Sequence, residues 1–384
     1  MIIRGLLFFC FCYCLGSCAT VKPIINPLEH VLSSPDPRIK SVMDSAGQHE
    51  IQIRYTQIDR INGKAIFTDY DFQVDDKNYF YPASTVKLPI AALALEKINE
   101  IGSLTKDTRF YIEGDSLETT FATEISKVFA VSDNAANNRL MEFLGQDDIN
   151  DRLTKKGINH ARLSHRLGVH DADEITTKPL VIYLNDTTVT VFEGTINTPA
   201  DSLKIQGTKK GIGFYEDDSL IKKPFDFGLK NYYSIDAQHG VLERLLFPEQ
   251  FSKDQQFNIT EVQRKFLMTA MSTLPRNAGY NEDIYYDGYG KFFIYGDTKS
   301  RIPEHIKIYN KIGFAYGTLT DCAYITDSKN NVDFLLTATI LVNRNGIFND
   351  DIYEFEEIGI PFLSALGRGL YDYELKRKKQ KGKK

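Results

Sequence analysis

Beyond residue 18 the 384-residue chain holds a single cysteine, Cys322; the other four, Cys10, Cys12, Cys14 and Cys18, crowd the first eighteen positions. A disulfide framework is therefore excluded unless chains cross-link. Excess positive charge is missing too. The net charge of -5 argues against a nucleic-acid binder, which shows a strong basic footprint. The one basic run, Lys376 to Lys384, reads as a solvated tail too polar to fold. After residue 18 no segment is apolar enough for long enough to cross a membrane, and no internal repeat is visible. What is present is ordinary globular composition, 42% hydrophobic and 25% charged. The length allows one large domain or two smaller ones.

The N-terminus has Arg4, the apolar run Leu6 to Leu15, then Gly16-Ser17-Cys18. A positive start, about ten apolar residues and small residues at the end make an export signal. Leu15-Gly16-Ser17-Cys18 resembles the bacterial lipobox. That resemblance implies a lipid on Cys18, cleavage before it, and a chain tethered to a membrane facing the periplasm or the cell surface.

Residues 19 to about 36 are rich in Pro and Asn and read as a tether. Ile39, Val42 and Met43 have helical spacing between Asp36 and Ala46. Ile51–Ile58 and Ala65–Val74 are strand-like around Asn62-Gly63, a strong hairpin turn. Residues 85–101 are apolar on nearly every face until Glu96, the pattern of a buried helix. Further helices are expected over Ile125–Val131, Ala135–Leu144 (stopped by Gly145), Thr260–Ser272 and Asp350–Leu370. Strands are expected near Ile306–Ile312, Asp321–Thr326 and Phe334–Val342. The aromatic run Tyr280–Tyr295 reads as a half-buried hairpin rather than a sugar-stacking surface. Residues 178–232 alternate strand-like runs (Leu180–Leu184, Thr188–Phe192) with turns such as Asn185-Asp186. Strands near both ends with helices between them predict an α/β (α+β) fold with a helical lobe inserted in the sheet. The expected organisation is a signal at 1–17, a tether at 18–35, one domain over 36–375 with a strand-rich insertion at about 178–232, and a basic tail at 376–384.

A serine hydroxyl is a poor nucleophile without a base in reach, and a lysine three residues on along a helix lies on the same face. Ser-x-x-Lys occurs at Ser84/Lys87, Ser103/Lys106 and Ser219/Lys222. Only the first opens a buried helix, where burial lowers a lysine's pKa towards that of a useful base and the helix N-terminus favours negative charge on the serine. Ser132-Asp133-Asn134 occurs once and, taken locally, reads as a helix cap. Lys311-Ile312-Gly313 sits on an alternating strand, where the lysine can face a cleft and the glycine admits a close ligand.

Ser-x-x-Lys, then Ser-Asp-Asn, then Lys-Thr-Gly is the order that marks class A β-lactamases and penicillin-binding proteins. The strings STVKLPIAA from Ser84, SDNAAN from Ser132 and KIGFAYGTLTD from Lys311 resemble those motifs, over roughly residues 36–165 and 235–370. The resemblance implies an antiparallel sheet flanked by helices with an inserted all-helical lobe. It also implies a monomer without cofactor, acting on a small-molecule or peptidoglycan-like amide. By position, Ser84 is implied as the acylated nucleophile, Lys87 as its activator and Ser132 as a proton relay. Asn134 would hold the substrate's amide and Lys311 would attract its carboxylate. Past Gly313, the N–H of Ala315 would complete an oxyanion hole with that of Ser84.

Two departures bear on function. Ile312 stands where the family usually has a hydroxyl. In Arg162-Leu163-Ser164-His165-Arg166-Leu167, leucine takes the place of the deacylating glutamate, and Glu174 is the nearest substitute. The cluster His160, His165, His170, Asp171 and Asp173 lacks metal-ligand spacing, so no metal is expected. Three functions stay open: a β-lactam-hydrolysing acyl-serine enzyme with slow deacylation, a cell-wall peptidase, amidase or esterase on the same scaffold, and a non-catalytic binding lipoprotein. The intact Ser84, Lys87, Ser132 and Lys311 speak against the last.

Overall fold

The computed structural model describes residues 26–381; the expected export signal and Cys18 lie outside them. Two long strands, β1 (Gln52–Ile61) and β2 (Lys64–Phe72), form the expected hairpin. Asn62 and Gly63 turn it at φ 51° and 78°, the positive values that a tight two-residue turn requires. The lobe carries short strands β3 (Arg109–Ile112), β4 (Thr119–Thr120), β5 (Leu180–Tyr183) and β6 (Val189–Phe192). Near the C-terminus β7 (Ile306–Ala315), β8 (Thr318–Asp327) and β9 (Val332–Leu341) form a meander. Pairing of β9 with β1 closes a five-stranded antiparallel sheet in the order β7-β8-β9-β1-β2, so both ends of the chain build it, as expected.

The helices are α1 (Pro27–Leu32), α2 (Pro37–Met43), α3 (Lys87–Ile101), α4 (Phe121–Ala130), α5 (Asn134–Leu144), α6 (Gln146–Lys155), α7 (Ile235–Leu246), α8 (Glu261–Ser272) and α9 (Ile360–Lys381). Strands β8 and β9 are buried along almost their whole length, because the sheet is covered on both faces. One face packs against α1, α2 and α9, the other against α3, α7 and α8. Helix α3 is the axis of the second core. Leu88 and Ile90 to Leu95 are all at most 1% exposed, each large side chain contributing roughly 1.5–3 kcal/mol by leaving water. Its buried Glu96 is compensated by Arg152 at 3.0 Å and Lys156 at 2.7 Å.

Several expectations are corrected. Residues 26–35 are not a tether: Asn26 caps α1, and Leu28, Val31 and Leu32 are buried, an apolar i, i+3, i+4 set hidden among the Pro and Asn residues. The inserted lobe is not all-helical, since β4-β3-β5-β6 form a sheet within it. The 178–232 segment holds several short strands. Its first hairpin extends that sheet, and Tyr232–Tyr233 pairs with Ala161–Arg162. Tyr280–Tyr295 forms no hairpin but a chain of short helical turns. Helix α9 begins only at Ile360, after a π-turn at Phe355–Gly359.

The basic run is also more than a tail, since α9 continues to Lys381. Arg377 grips the buried Glu374 at 2.6 Å and also reaches Asp59 and the Ile58 carbonyl, while Lys378 bonds Ile58 O and Asp333. These contacts cross to β1 and β9, which a reading by polarity alone overlooks. Glu374 is fully buried and accepts from the Tyr55 hydroxyl and from Gln57 at 2.9 Å. Removing one partner of a buried ion pair strands the other charge, so Arg377→Ala is expected to lower the unfolding free energy by roughly 2–4 kcal/mol in a urea titration. A loss below about 0.5 kcal/mol, the range of an ordinary surface change, would show this end of the helix to be dispensable.

Candidate active site

Ser84 sits in a single 3-10 turn, Ala83–Val86, that leads straight into α3. Ala83 before it has φ 46°, and Thr85 ties the turn down by donating its hydroxyl to Pro82 O at 2.7 Å. Strand β7 lies against this turn. A Cβ on Gly313 would fall 2.7 Å from both Pro82 O and Ser84 N, so only glycine lets the strand come this close.

Lys87, one turn after Ser84, is fully buried. Its Nζ donates to the Ser132 carbonyl, to Asn134 Oδ1 at 2.7 Å and to Ser132 Oγ at 3.3 Å. Burial lowers its pKa to about 7, against a smaller opposing pull from Asp133. From the other side Lys311 Nζ donates to Ser132 Oγ and to Ile312 O, both at 2.8 Å. Burial, then Lys87, holds Lys311 well below the usual lysine range, with Asp321 pulling the other way. Both amines thus converge on one hydroxyl. Ser132 itself has φ 59°, a strained backbone of the sort that collects at functional sites. The cap reading of Ser132-Asp133-Asn134 holds as well. Asp133 accepts from Ala136 N at 2.8 Å and starts α5, which leaves its two neighbours turned to the lysines. Ser84 Oγ makes no hydrogen bond to Lys87; such contacts are often loose before substrate binds.

The cleft has a volume of about 440 Å³ and is lined by Ser84, Asn134, Leu167, Gly168, Ala315 and an aromatic wall. Leu167 is pinned there by Asn138, which donates to its carbonyl at 2.9 Å and accepts from its N–H at 3.0 Å. Gly168, at φ 66°, lets the loop close on Asn134. Arg166 anchors the same loop on Glu142, at 2.5 and 2.9 Å.

Two candidates are corrected by this geometry. Glu174 is exposed, accepts from Thr176 N at 3.1 Å and does not line the cleft; its loop is held by backbone bonds to Arg166 that turn its side chain to solvent. Ala315 cannot offer its N–H to the cleft. Tyr316 and Gly317 join β7 to β8 at φ 52° and 71°, a two-residue turn that closes on a hydrogen-bonded pair, here Ala315 with Thr318. The N–H of Ala315 therefore points into the sheet. The alternation of the ladder turns the backbone of Ile312 and Phe314 to the open edge, as the Ile312 carbonyl under Lys311 shows. Phe314, one residue earlier than expected, presents its N–H beside Ser84. Ile312 itself is 2% exposed and packs in the core under the sheet, so no hydroxyl is offered there.

The other Ser-x-x-Lys pairs stay apart from the cleft. Ser103 and Ser219 are exposed, and Lys106 pairs with Asp107 at 2.7 Å. The three histidines do not converge on a metal. His160 pairs with Asp76 at 2.7 Å, His170 is exposed, and His165 stacks on Tyr81 with its pKa lowered to about 4 by burial. Among the described residues, Asp69, His239 and Glu243 bring ligand atoms within 4.8 Å, yet both His239 nitrogens already meet Thr56 and Thr337 hydroxyls. Sequence reasoning missed the far wall of the cleft, Asn349, Asp351, Tyr353 and Phe355, which no motif marks.

Comparison with known proteins bears on the fold. Residues 35–205 match the model of the beta-lactamase enzyme family, reaching well into the segment that reads as an insertion. Three solved structures show the same fold. A β-lactamase from Xanthomonas campestris pv. campestris is 15% identical, with 91% of this chain and 99% of that one covered and a TM-score of 0.53. One from Sphaerobacter thermophilus is 13% identical, with 91% and 96% covered at 0.50. One from Burkholderia ambifaria is 16% identical, with 87% and 97% covered at 0.50. No curated protein matches the chain. The fold defines the class: an α/β protein with antiparallel sheet and helical layers, built as β-lactamases are. The chain is thus similar to β-lactamases in fold, and over residues 35–205 to the beta-lactamase enzyme family.

A methyl group on Gly313 would push β7 off the Ser84 turn. Displacements of about 1 Å cost roughly 10²-fold in rate. Gly313→Ala is therefore expected to slow fluorophosphonate labelling about a hundredfold while circular dichroism stays native. Labelling at the wild-type rate would mean that the close approach of strand and turn is not needed.

Proposed function

We propose that this protein is a serine hydrolase of the class A type that opens amide or lactam bonds through an acyl-enzyme on Ser84 and releases the acyl group slowly. The observation that carries this reading is the convergence of Lys87 and Lys311 on Ser132 Oγ beside Ser84. Neutral Lys87 takes the proton of Ser84 Oγ as that oxygen attacks the carbonyl carbon. The tetrahedral oxyanion is met by the N–H groups of Ser84 and Phe314, a donor pair of the kind whose loss costs about 10²–10³ in rate. The C–N bond then breaks, Ser132 passes a proton to the leaving nitrogen, and Lys87 restores the proton of Ser132. An ester on Ser84 remains.

Water must be activated to cleave that ester, and the place for the base holds Leu167. A positioned base contributes about 10²–10⁴-fold, so the ester persists. The same chemistry would serve a cell-wall peptidase or amidase of the penicillin-binding kind, for which a long-lived penicillin adduct is the ordinary outcome. A purely binding role has no use for the lysine pair.

With a chromogenic cephalosporin, stopped-flow kinetics is expected to show a burst of one equivalent followed by a slow phase. The burst rate should rise with pH through about 7, as Lys87 loses its proton, and mass spectrometry should place the adduct on Ser84. Rapid steady hydrolysis with no burst would refute slow deacylation.

We also propose that Cys18 carries a lipid and holds the domain at a membrane surface. Cys18→Ser should move the protein from the membrane to the soluble fraction of the exporting cell. A wild-type protein already soluble after export would refute the anchor.

A further inference from the structure

The end of the main sheet away from Ser84 combines exposed apolar side chains with unpaired lysines. Strand β7 runs from Ile306, opposite Asp327, to Gly313 beside the Ser84 turn, about 23 Å at the usual strand rise. At the Ile306 end lie the β8–β9 turn, the tip of the β1–β2 hairpin and the last turns of α9. Register places the first two together: Asp327 pairs with Val332, Gln57 with Phe334 and Ile61 with Lys64. Opposite pairs and alternate residues share a face of the sheet. Asp59, Ile61, Lys64 and Ile66 therefore point to the side on which Arg377 of α9 reaches Asp59. Ile61 is 60% exposed and Ile66 46%.

Lysines surround these two side chains. Lys64, Lys329, Lys376 and Lys379 are exposed, and among the described residues no acid pairs with any of them. The neighbouring acids are already held. Asp59 takes Arg377, Asp333 takes Arg60 and Lys378, and Asp327 takes Asn330 and the Tyr371 hydroxyl. The head of α1 comes to the same end. Val31 lies against Gly369, and the His30 and Tyr373 rings are 6.2 Å apart, so α1 runs antiparallel to α9 and Asn26 looks towards the basic end. Cys18 stands eight residues before Asn26, a reach of at most about 28 Å. Isoleucines among lysines suit a lipid interface, where apolar groups enter between headgroups and ammonium groups meet phosphates.

We propose that this end of the sheet, through Ile61, Ile66, Lys64, Lys329 and Lys379, rests on an anionic lipid surface and turns the Ser84 cleft away from it. The acyl-serine reading is not needed for this, and the lipid on Cys18 serves only to bring the membrane near.

The chain has no tryptophan, so Ile61→Trp gives a single reporter at the hairpin tip. Ile352→Trp gives one beside the cleft, where Ile352 is 63% exposed. Full-length protein purified from the exporting cell is mixed with vesicles of phosphatidylcholine, alone or with an equal part of phosphatidylglycerol. On the anionic vesicles the Ile61→Trp emission is expected to shift to the blue and lose acrylamide quenching, an effect that salt weakens. The Ile352→Trp emission should stay as in solution, and adding Lys64→Glu with Lys379→Glu should abolish the shift of the first reporter. An unshifted Ile61→Trp emission, or an equal shift at both reporters, overturns the proposal. So does a shift that grows with protein concentration without vesicles, which would put a second copy of the chain on this face. Mass spectrometry of Cys18 separates the two membrane readings. Lipid on Cys18 without the shift leaves the anchor standing and the contact overturned, and the shift without lipid does the reverse.

Discussion

Two buried amines meeting on a single hydroxyl is the constraint on which the rest of the structure turns. A charged lysine is costly to bury, and a pair of them side by side more so. The fold answers by depressing both pKa values and by surrounding the amines with oxygen acceptors. Ser132 supplies two of these, Asn134 one and Ile312 another. Those acceptors come from the loop before α5, from the first residue of α5 and from strand β7, while Lys87 comes from α3. The site therefore exists only while sheet, central helix and lobe are docked together. Behind the strand, Asp321 on β8 lies on the opposite face of the sheet from Lys311, beside Ile312, where it receives Asn310 Nδ2 at 2.8 Å and Phe292 N at 3.1 Å.

Glycine and strain do the fine positioning. Gly313 removes the side chain that would separate strand from nucleophile, and Gly168 does the same between loop and Asn134. Ala83 and Ser132 both adopt left-handed backbone on either side of Lys87. The close approaches and the unusual dihedrals lie around the same few side chains, where a rigid framework can sustain them.

Much of this was legible from residues alone. Period-two apolar patterning and Asn62-Gly63 located the β1–β2 hairpin, and the all-round apolar face of residues 85–101 located α3. The three motifs in order brought Ser84, Ser132 and Lys311 together, because their spacing reports secondary structure as well as chemistry. Helix α1 escaped since six residues offer too little periodicity against a Pro/Asn background. The end of α9 escaped because Arg377 and Lys378 are stabilised by partners on β1 and β9, which no local rule can see. Ala315 was misplaced by one residue, since which N–H faces a cleft is decided by the hairpin's closing pair. The outer wall from Asn349 to Phe355 was invisible for the plainest reason: its residues acquire meaning only from what lies opposite them.

The closure of the main sheet has a consequence for how the molecule is made. Ile53 pairs with Ala338, and Gln52 with Thr339, so the central ladder joins segments at opposite ends of the domain. Bringing them together costs loop entropy that no contact repays until the ladder forms, and such distant pairing slows folding. The intervening lobe, dominated by local helices, can condense as the chain emerges, whereas the sheet must wait for β9. Until then the β1–β2 hairpin presents an unpaired edge that other chains could occupy. Segments that follow the lobe in the chain, β9 and the docking helix α9, are thus the ones that retire this hazard.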